Sequence, residues 1–179
     1  MPLIKKLFIV IAITAGILYT IGYFLPSKWN VKRSIEIKAS SEKIFPYLND
    51  LHKWSEWYPW TREMDVSMII TYDGAESGVG AIRKWSGSSI KSGEIQITKS
   101  IANEGVWYSF KSDQTKIVVN GSITIVKNGN TSEVIWEDTG DNGYSLLARF
   151  FSGGLDKVIG KKFEMGLDIL KKTVEQSGK

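Results

Sequence analysis

The chain has 179 residues, 42% of them hydrophobic, which is enough for one globular domain with its own core and a short appendage. Its net charge is +4, and once Lys5 and Lys6 are set aside the 23 basic residues fall to 21, against 19 acidic ones. So even a balance excludes the basic footprint of a nucleic-acid binder, and the absence of cysteine excludes disulfides, thiolate catalysis and cysteine-type zinc sites.

Residues 7–25 are uncharged, follow Lys5 and Lys6, and end at Pro26. As a helix this run would be about 28 Å long, close to the hydrocarbon thickness of a bilayer. Tyr19, Tyr23 and Trp29 fall where interfacial aromatic residues would sit. The run is longer than the apolar part of a cleaved signal and no A-x-A-like site follows it, so we read residues 1–26 as a single-pass anchor in the cell membrane and 27–179 as the folded domain. A short basic N-terminus favours an extracytoplasmic domain, whereas Lys28, Lys32 and Arg33 beyond the span argue the other way, and the side stays open.

Residues 33–39 alternate strictly, with Ile35, Ile37 and Ala39 on one face, and read as a half-buried strand. Ser40 and Ser41 then offer N-caps for a helix with Ile44, Phe45, Leu48 and Leu51 on one face, shortened or kinked by Pro46. Trp54, Trp57 and Trp60 crowd a segment that suits an irregular loop or short helix. Strand patterns follow at 66–72, 80–86, 93–101, 106–111, 117–127 and 132–138, separated by Gly, Asn and Asp, as in an antiparallel meander. The C-terminal part restarts a helical period: Leu146, Leu147, Phe150 and Phe151 form a short helical piece, Gly153-Gly154 interrupts it, and residues 155–175 make a long helix. Ile159, Phe163, Gly166, Leu167, Leu170 and Val174 line one stripe of that helix. Strand, helix, six strands and a long helix predict an α+β fold with its helices on one face.

These elements carry a family resemblance over residues 31–176. Its pieces are Ser34-Ile-Glu-Ile-Lys-Ala-Ser-Ser-Glu-Lys-Ile-Phe45, Leu48-Asn-Asp-Leu-His-Lys-Trp-Ser-Glu-Trp-Tyr-Pro-Trp60, Gly78-Val-Gly80 with Trp85-Ser-Gly87, Gly93-Glu94, Thr131-Ser-Glu-Val-Ile-Trp136 and Phe163-Glu-Met-Gly-Leu-Asp-Ile-Leu-Lys-Lys172. In order and spacing the chain resembles the START-like helix-grip superfamily, in particular its polyketide cyclase/dehydrase and lipid-transport (SRPBCC) branch. The resemblance implies a bent antiparallel sheet of about seven strands gripping the C-terminal helix, with an elongated apolar cavity between them. It implies little chemistry, since the fold carries transporters, sensors and cyclases.

Candidates for lining that cavity are Trp57, Trp60, Arg83, Trp85, Tyr108, Trp136, Phe150, Phe163 and Leu167. Alternation puts Ala81, Arg83 and Trp85 on one face, so a concave Trp face turns Arg83 inward, where it would suit an anionic head group. The ordinary alternative is an Arg at the rim, paired with Glu94 or Glu137. Catalytic residues are unassigned. His52 is the lone histidine, and with Glu56 it supplies too few ligands for a metal; nothing points to a cofactor, and no serine-nucleophile or phosphate-loop motif is present. The first expectation is thus a membrane-anchored module binding a lipid or other hydrophobic small molecule, without nucleic acid and with its oligomeric state open. Two alternatives are a polyketide cyclase-like enzyme and a non-catalytic scaffold that holds a protein partner at the membrane.

Overall fold

The computed structural model describes residues 2–60, 65–113 and 115–177. Met1 and residues 178–179, the outer ends of the two expected segments, lie outside it. The uncharged run forms helix α1 (Pro2–Phe24). Over Leu3–Phe24 it is long and apolar enough to cross a membrane, a length and composition that suit a span or a signal sequence.

Strand β1 (Lys28–Ile37) starts five residues before the expected Arg33. Trp29 therefore belongs to the sheet, with its indole lying where a side chain at Gly140 would stand. Helix α2 (Ser41–Asn49) carries Pro46 within it and buries Ile44 and Leu48. The three-Trp segment includes a short 3-10 helix, Lys53–Glu56. Strands β2 (Ile69–Gly74), β3 (Ala81–Ser86), β4 (Gly93–Ile101), β5 (Gly105–Ser112), β6 (Thr115–Asn128) and β7 (Thr131–Asp141) follow. All pairings are antiparallel and the order is β1-β7-β6-β5-β4-β3-β2, a six-strand meander closed at one edge by β1. Register shifts in the β4/β5 pairing at Ile97–Lys99 and the β5/β6 pairing at Lys111–Ser112 add local bends of the kind that help a sheet curl.

Helix α3 (Leu146–Gln176) crosses the concave face in one piece. The expected break at Gly153-Gly154 is absent. Two glycines weaken a helix by roughly 1 kcal/mol each but stop it only by turning left-handed, and neither does so here. The start is fixed by Ser145, whose Oγ accepts the Ala148 N–H at 3.3 Å, and by Asn142, whose Nδ2 donates to the Ala148 carbonyl.

Phe163, Leu167, Leu170 and Val174 enter the core, where Phe163 stacks on Trp136 of β7 at 4.1 Å between ring centres. A Cβ at Gly166 would stand 2.9 Å from Pro59 and 3.0 Å from Trp136, so the close approach of helix and sheet requires glycine there. At Gly160 the space is taken by the guanidinium of Arg33, which bridges from β1 to Asp156 (2.8 Å) and Glu164 (2.6 Å) on α3. Both helical glycines thus serve close packing.

Candidate functional site

Between the sheet and the N-terminal half of α3 lies a mostly apolar cavity of about 420 Å³, within the size range of small-molecule sites. Its walls come from Trp29 on β1, Tyr58 and Trp60 after the 3-10 helix, Arg83 and Trp85 on β3, Phe110 on β5, Val119 on β6, Asp138 on β7, and Phe151, Leu155 and Ile159 on α3. Trp85 stacks on Phe110 at 5.6 Å, and Tyr58 lies 5.0 Å from Trp60, so the aromatic residues are locked against one another.

Arg83 is 1% exposed. Its Nε and Nη1 meet no hydrogen-bond acceptor among the described residues. The guanidinium lies 5.1 Å from the Tyr58 ring centre and 6.0 Å from that of Trp85. Ring faces attract a cation but accept none of its N–H groups in full. The two expected partners turn the other way. Glu94 neighbours Ile95, the residue opposite Arg83, and so points to the far face, where it meets Lys111 at 3.2 Å. Glu137 sits between Trp136 and Asp138 and pairs with Lys32 across the convex surface.

A second polar group opens onto the cavity and was not among the expected site residues. Asp138 is half-buried, and its Oδ1 accepts from the Tyr108 hydroxyl at 2.6 Å, which in turn accepts from the Trp136 indole N–H at 2.6 Å. Burial pushes the Asp138 carboxyl up to about 7, with the Tyr108 hydrogen bond opposing the shift. The Tyr108 hydroxyl is raised too, by its own burial and then by the neighbouring carboxylate. Strand parity could have found Asp138, since it lies two residues beyond Trp136 and shares its face.

Of the expected lining residues, Trp60, Arg83 and Trp85 stand in the cavity wall. Trp57, Tyr108, Trp136, Phe163 and Leu167 are buried in the core behind it. Trp57, for example, donates its indole N–H to the Tyr47 carbonyl at 3.0 Å. Phe150 lies elsewhere: it is part exposed and packs against Gly22 of α1. Its neighbour Phe151 takes the place at the cavity, a rotation of one residue around the helix.

Comparison with known proteins agrees with this architecture. Among curated proteins none matches the chain. A solution structure from Thermobifida fusca superposes with a TM-score of 0.63 at 19% identity, covering 82% of this chain and 93% of that one. A protein of unknown function from Staphylococcus aureus, SA2116, gives 0.62 at 12% identity, covering 84% and 97%. DynU16, from the dynemicin biosynthetic locus, gives 0.59 at 9% identity, covering 83% of this chain and 48% of that one. Identities this low establish the shared helix-grip fold and no more. The sequence itself goes further, because residues 28–175 match the family described as polyketide cyclase / dehydrase and lipid transport, and the chain belongs to that family.

Proposed function

We propose that the protein is a membrane-anchored binding module whose cavity takes an amphipathic small molecule with an anionic head, held at Arg83, and an apolar tail among Trp29, Trp85, Phe110, Phe151 and Leu155. The observation that carries this reading is the buried guanidinium of Arg83, two of whose nitrogens find no acceptor among the described residues, beside an apolar space. A buried charge without a partner is strongly disfavoured, and an anionic ligand supplies the partner. Membership of a family described by lipid transport supports the apolar part of the ligand, and the apolar helix α1 supports the tether.

The test is a titration of the full chain in a mild detergent with a long-chain fatty acid and with the alcohol of equal length, read by intrinsic Trp emission. The acid should saturate the signal and bind more tightly than the alcohol. Arg83→Leu should weaken the acid by about 1.5 to 3 kcal/mol, the range for a hydrogen bond to a charged group, and leave the alcohol nearly unchanged. Equal loss for both, or no binding of either, would remove the reading.

Asp138 favours a second reading, a cyclase-like enzyme. A carboxyl held near neutrality in the cavity suits a general acid or base, and the Arg83 guanidinium suits a developing enolate oxygen. Turnover of a polyketone that is lost in Asp138→Asn, with fatty-acid binding retained, would favour it. A scaffold whose cavity is filled by its own side chains is less consistent with the open space beside Arg83.

A further inference from the structure

The first two turns of α3 are bound to the end of α1. The Arg149 guanidinium donates to the Tyr23 carbonyl at 3.0 Å and the Leu25 carbonyl at 3.3 Å, which are free at the C-terminal end of a helix, and donates again to the Gly143 carbonyl. One turn away, Gly22 is buried against Leu146 and Phe150, and a Cβ there would come within 2.8 Å of the Phe150 ring. Anchor and domain therefore meet at a fixed joint.

Around this joint several large apolar side chains are exposed, beside the charged Lys28, Asp141 and Arg149. Tyr144 is 95% exposed, Leu147 69% and Phe151 68%, beside the uncovered Tyr23 and Phe24 at the foot of α1. Leu147, Phe151 and Val158 also share one stripe of α3, since their spacings of 4 and 11 residues return to nearly the same direction at 100° per residue. The cavity lies directly behind, because Ala148, Phe151, Ser152 and Leu155 belong to its wall.

We infer that Tyr144, Leu147 and Phe151 form a membrane-docking surface which sets the cavity mouth against the leaflet from which α1 emerges, so that the ligand passes from bilayer to cavity without crossing water. The occupant of the patch is the lipid surface itself. Hydrogen bonds from Arg149 to the last carbonyls of α1 leave these side chains no place far from the point where the span ends. Aromatic and aliphatic side chains on a helix lying at that level are the usual interfacial contacts. The inference rests on reading α1 as an anchor and the cavity as the ligand site.

The chain lacks cysteine, which permits a direct test in the full protein. Single cysteines at Leu147, Phe151, Ile13 and Asn130 are labelled with an environment-sensitive fluorophore, and the protein is placed in phosphatidylcholine vesicles with nitroxide-bearing acyl chains. Asn130 is exposed in the β6–β7 hairpin, at the opposite end of the sheet from the Lys28–Asp141 pairing. Labels at Leu147→Cys and Phe151→Cys should be blue-shifted and quenched by a nitroxide near the head-group end of the chain, while Asn130→Cys is not. If Ile13→Cys is quenched deep in the bilayer and the two α3 labels behave like Asn130→Cys, the docking surface is overturned and the anchor stands. If Ile13→Cys is itself unquenched, the anchor reading falls and the docking with it. As a second measurement, Tyr144→Asp with Leu147→Asp should slow uptake of a fluorescent fatty acid from vesicles several-fold while leaving its affinity in detergent as before. Unchanged uptake would contradict the route, and loss of affinity in detergent as well would place the effect in the binding site instead.

Discussion

Arg83 and Asp138 are the residues on which the site turns, and each gives an expectation separate from ligand affinity. Because the guanidinium of Arg83 is buried and two of its nitrogens find no acceptor among the described residues, Arg83→Leu should leave the empty protein as stable as the parent or more so. A thermal melt checks this, and a loss of more than about 2 kcal/mol would mean that Arg83 has a structural partner. Asp138 titrates near 3.8 in the unfolded chain and at about 7 in the fold, so between those values the folded state holds the extra proton. Its contribution to stability is then most favourable at the acid end and is lost as pH rises toward 7. Asp156 and Asp141 are shifted downward and produce the opposite slope at lower pH, so the informative quantity is a difference. Asp138→Asn keeps an acceptor for Tyr108, and its stability relative to the parent should increase as pH rises from 4 to 7. A flat difference would contradict the buried-carboxyl account. Ligand binding should follow the same group: a long-chain alkyl sulfonate, whose own charge does not titrate, should bind more weakly above pH 7 than below, and Asp138→Asn should remove that dependence.

At the scale of elements, α3 offers the plainest contrasts. Phe163 and Leu170 are fully buried, so truncation to Ala should lower stability by about 3 to 5 and about 2 to 5 kcal/mol, while Lys161→Ala on the exposed face should be nearly silent. Gly153 and Gly154 are helical, and a Cβ at either meets nothing within 4 Å. Replacing each with Ala should therefore stabilise the protein by roughly 0.5 to 1 kcal/mol in the same melt. The strands were legible because a period of two is carried by every residue, and the buried stripe of α3 because its period of 3.6 persists over about four turns. The glycine pair was misread, since sequence alone does not distinguish a helix weakened by glycine from one ended by it. The choice between Phe150 and Phe151 depended on α1 packing against that turn, a contact that no local pattern contains. Among the cavity groups, parity put Arg83 and Trp85 on one face of β3 but did not decide between an inward Arg83 and one paired at the rim. The same argument reaches Asp138 from Trp136, but a single acidic residue at a strand end carries no signal of burial until the Tyr108 hydroxyl is seen beside it.

For the whole molecule, the arrangement is an apolar N-terminal helix, a joint at Arg149 and a curved sheet that holds a cavity under the first half of α3. The β1 edge begins at Lys28, so a chain starting at Ser27 retains all seven strands and α3 and should fold in solution. Circular dichroism and a cooperative melt would check this. The apolar surface left uncovered at Tyr144, Leu147 and Phe151 should make that shortened chain associate with lipid vesicles even without α1. Whether an anionic apolar ligand fills the space at Arg83 is read from native mass spectrometry of the full chain extracted in mild detergent. An adduct of lipid or fatty-acid mass, released as an anion and lost from Arg83→Leu, is expected; a parent protein that is empty, or an adduct retained equally by the variant, would mean that no such ligand is held at Arg83.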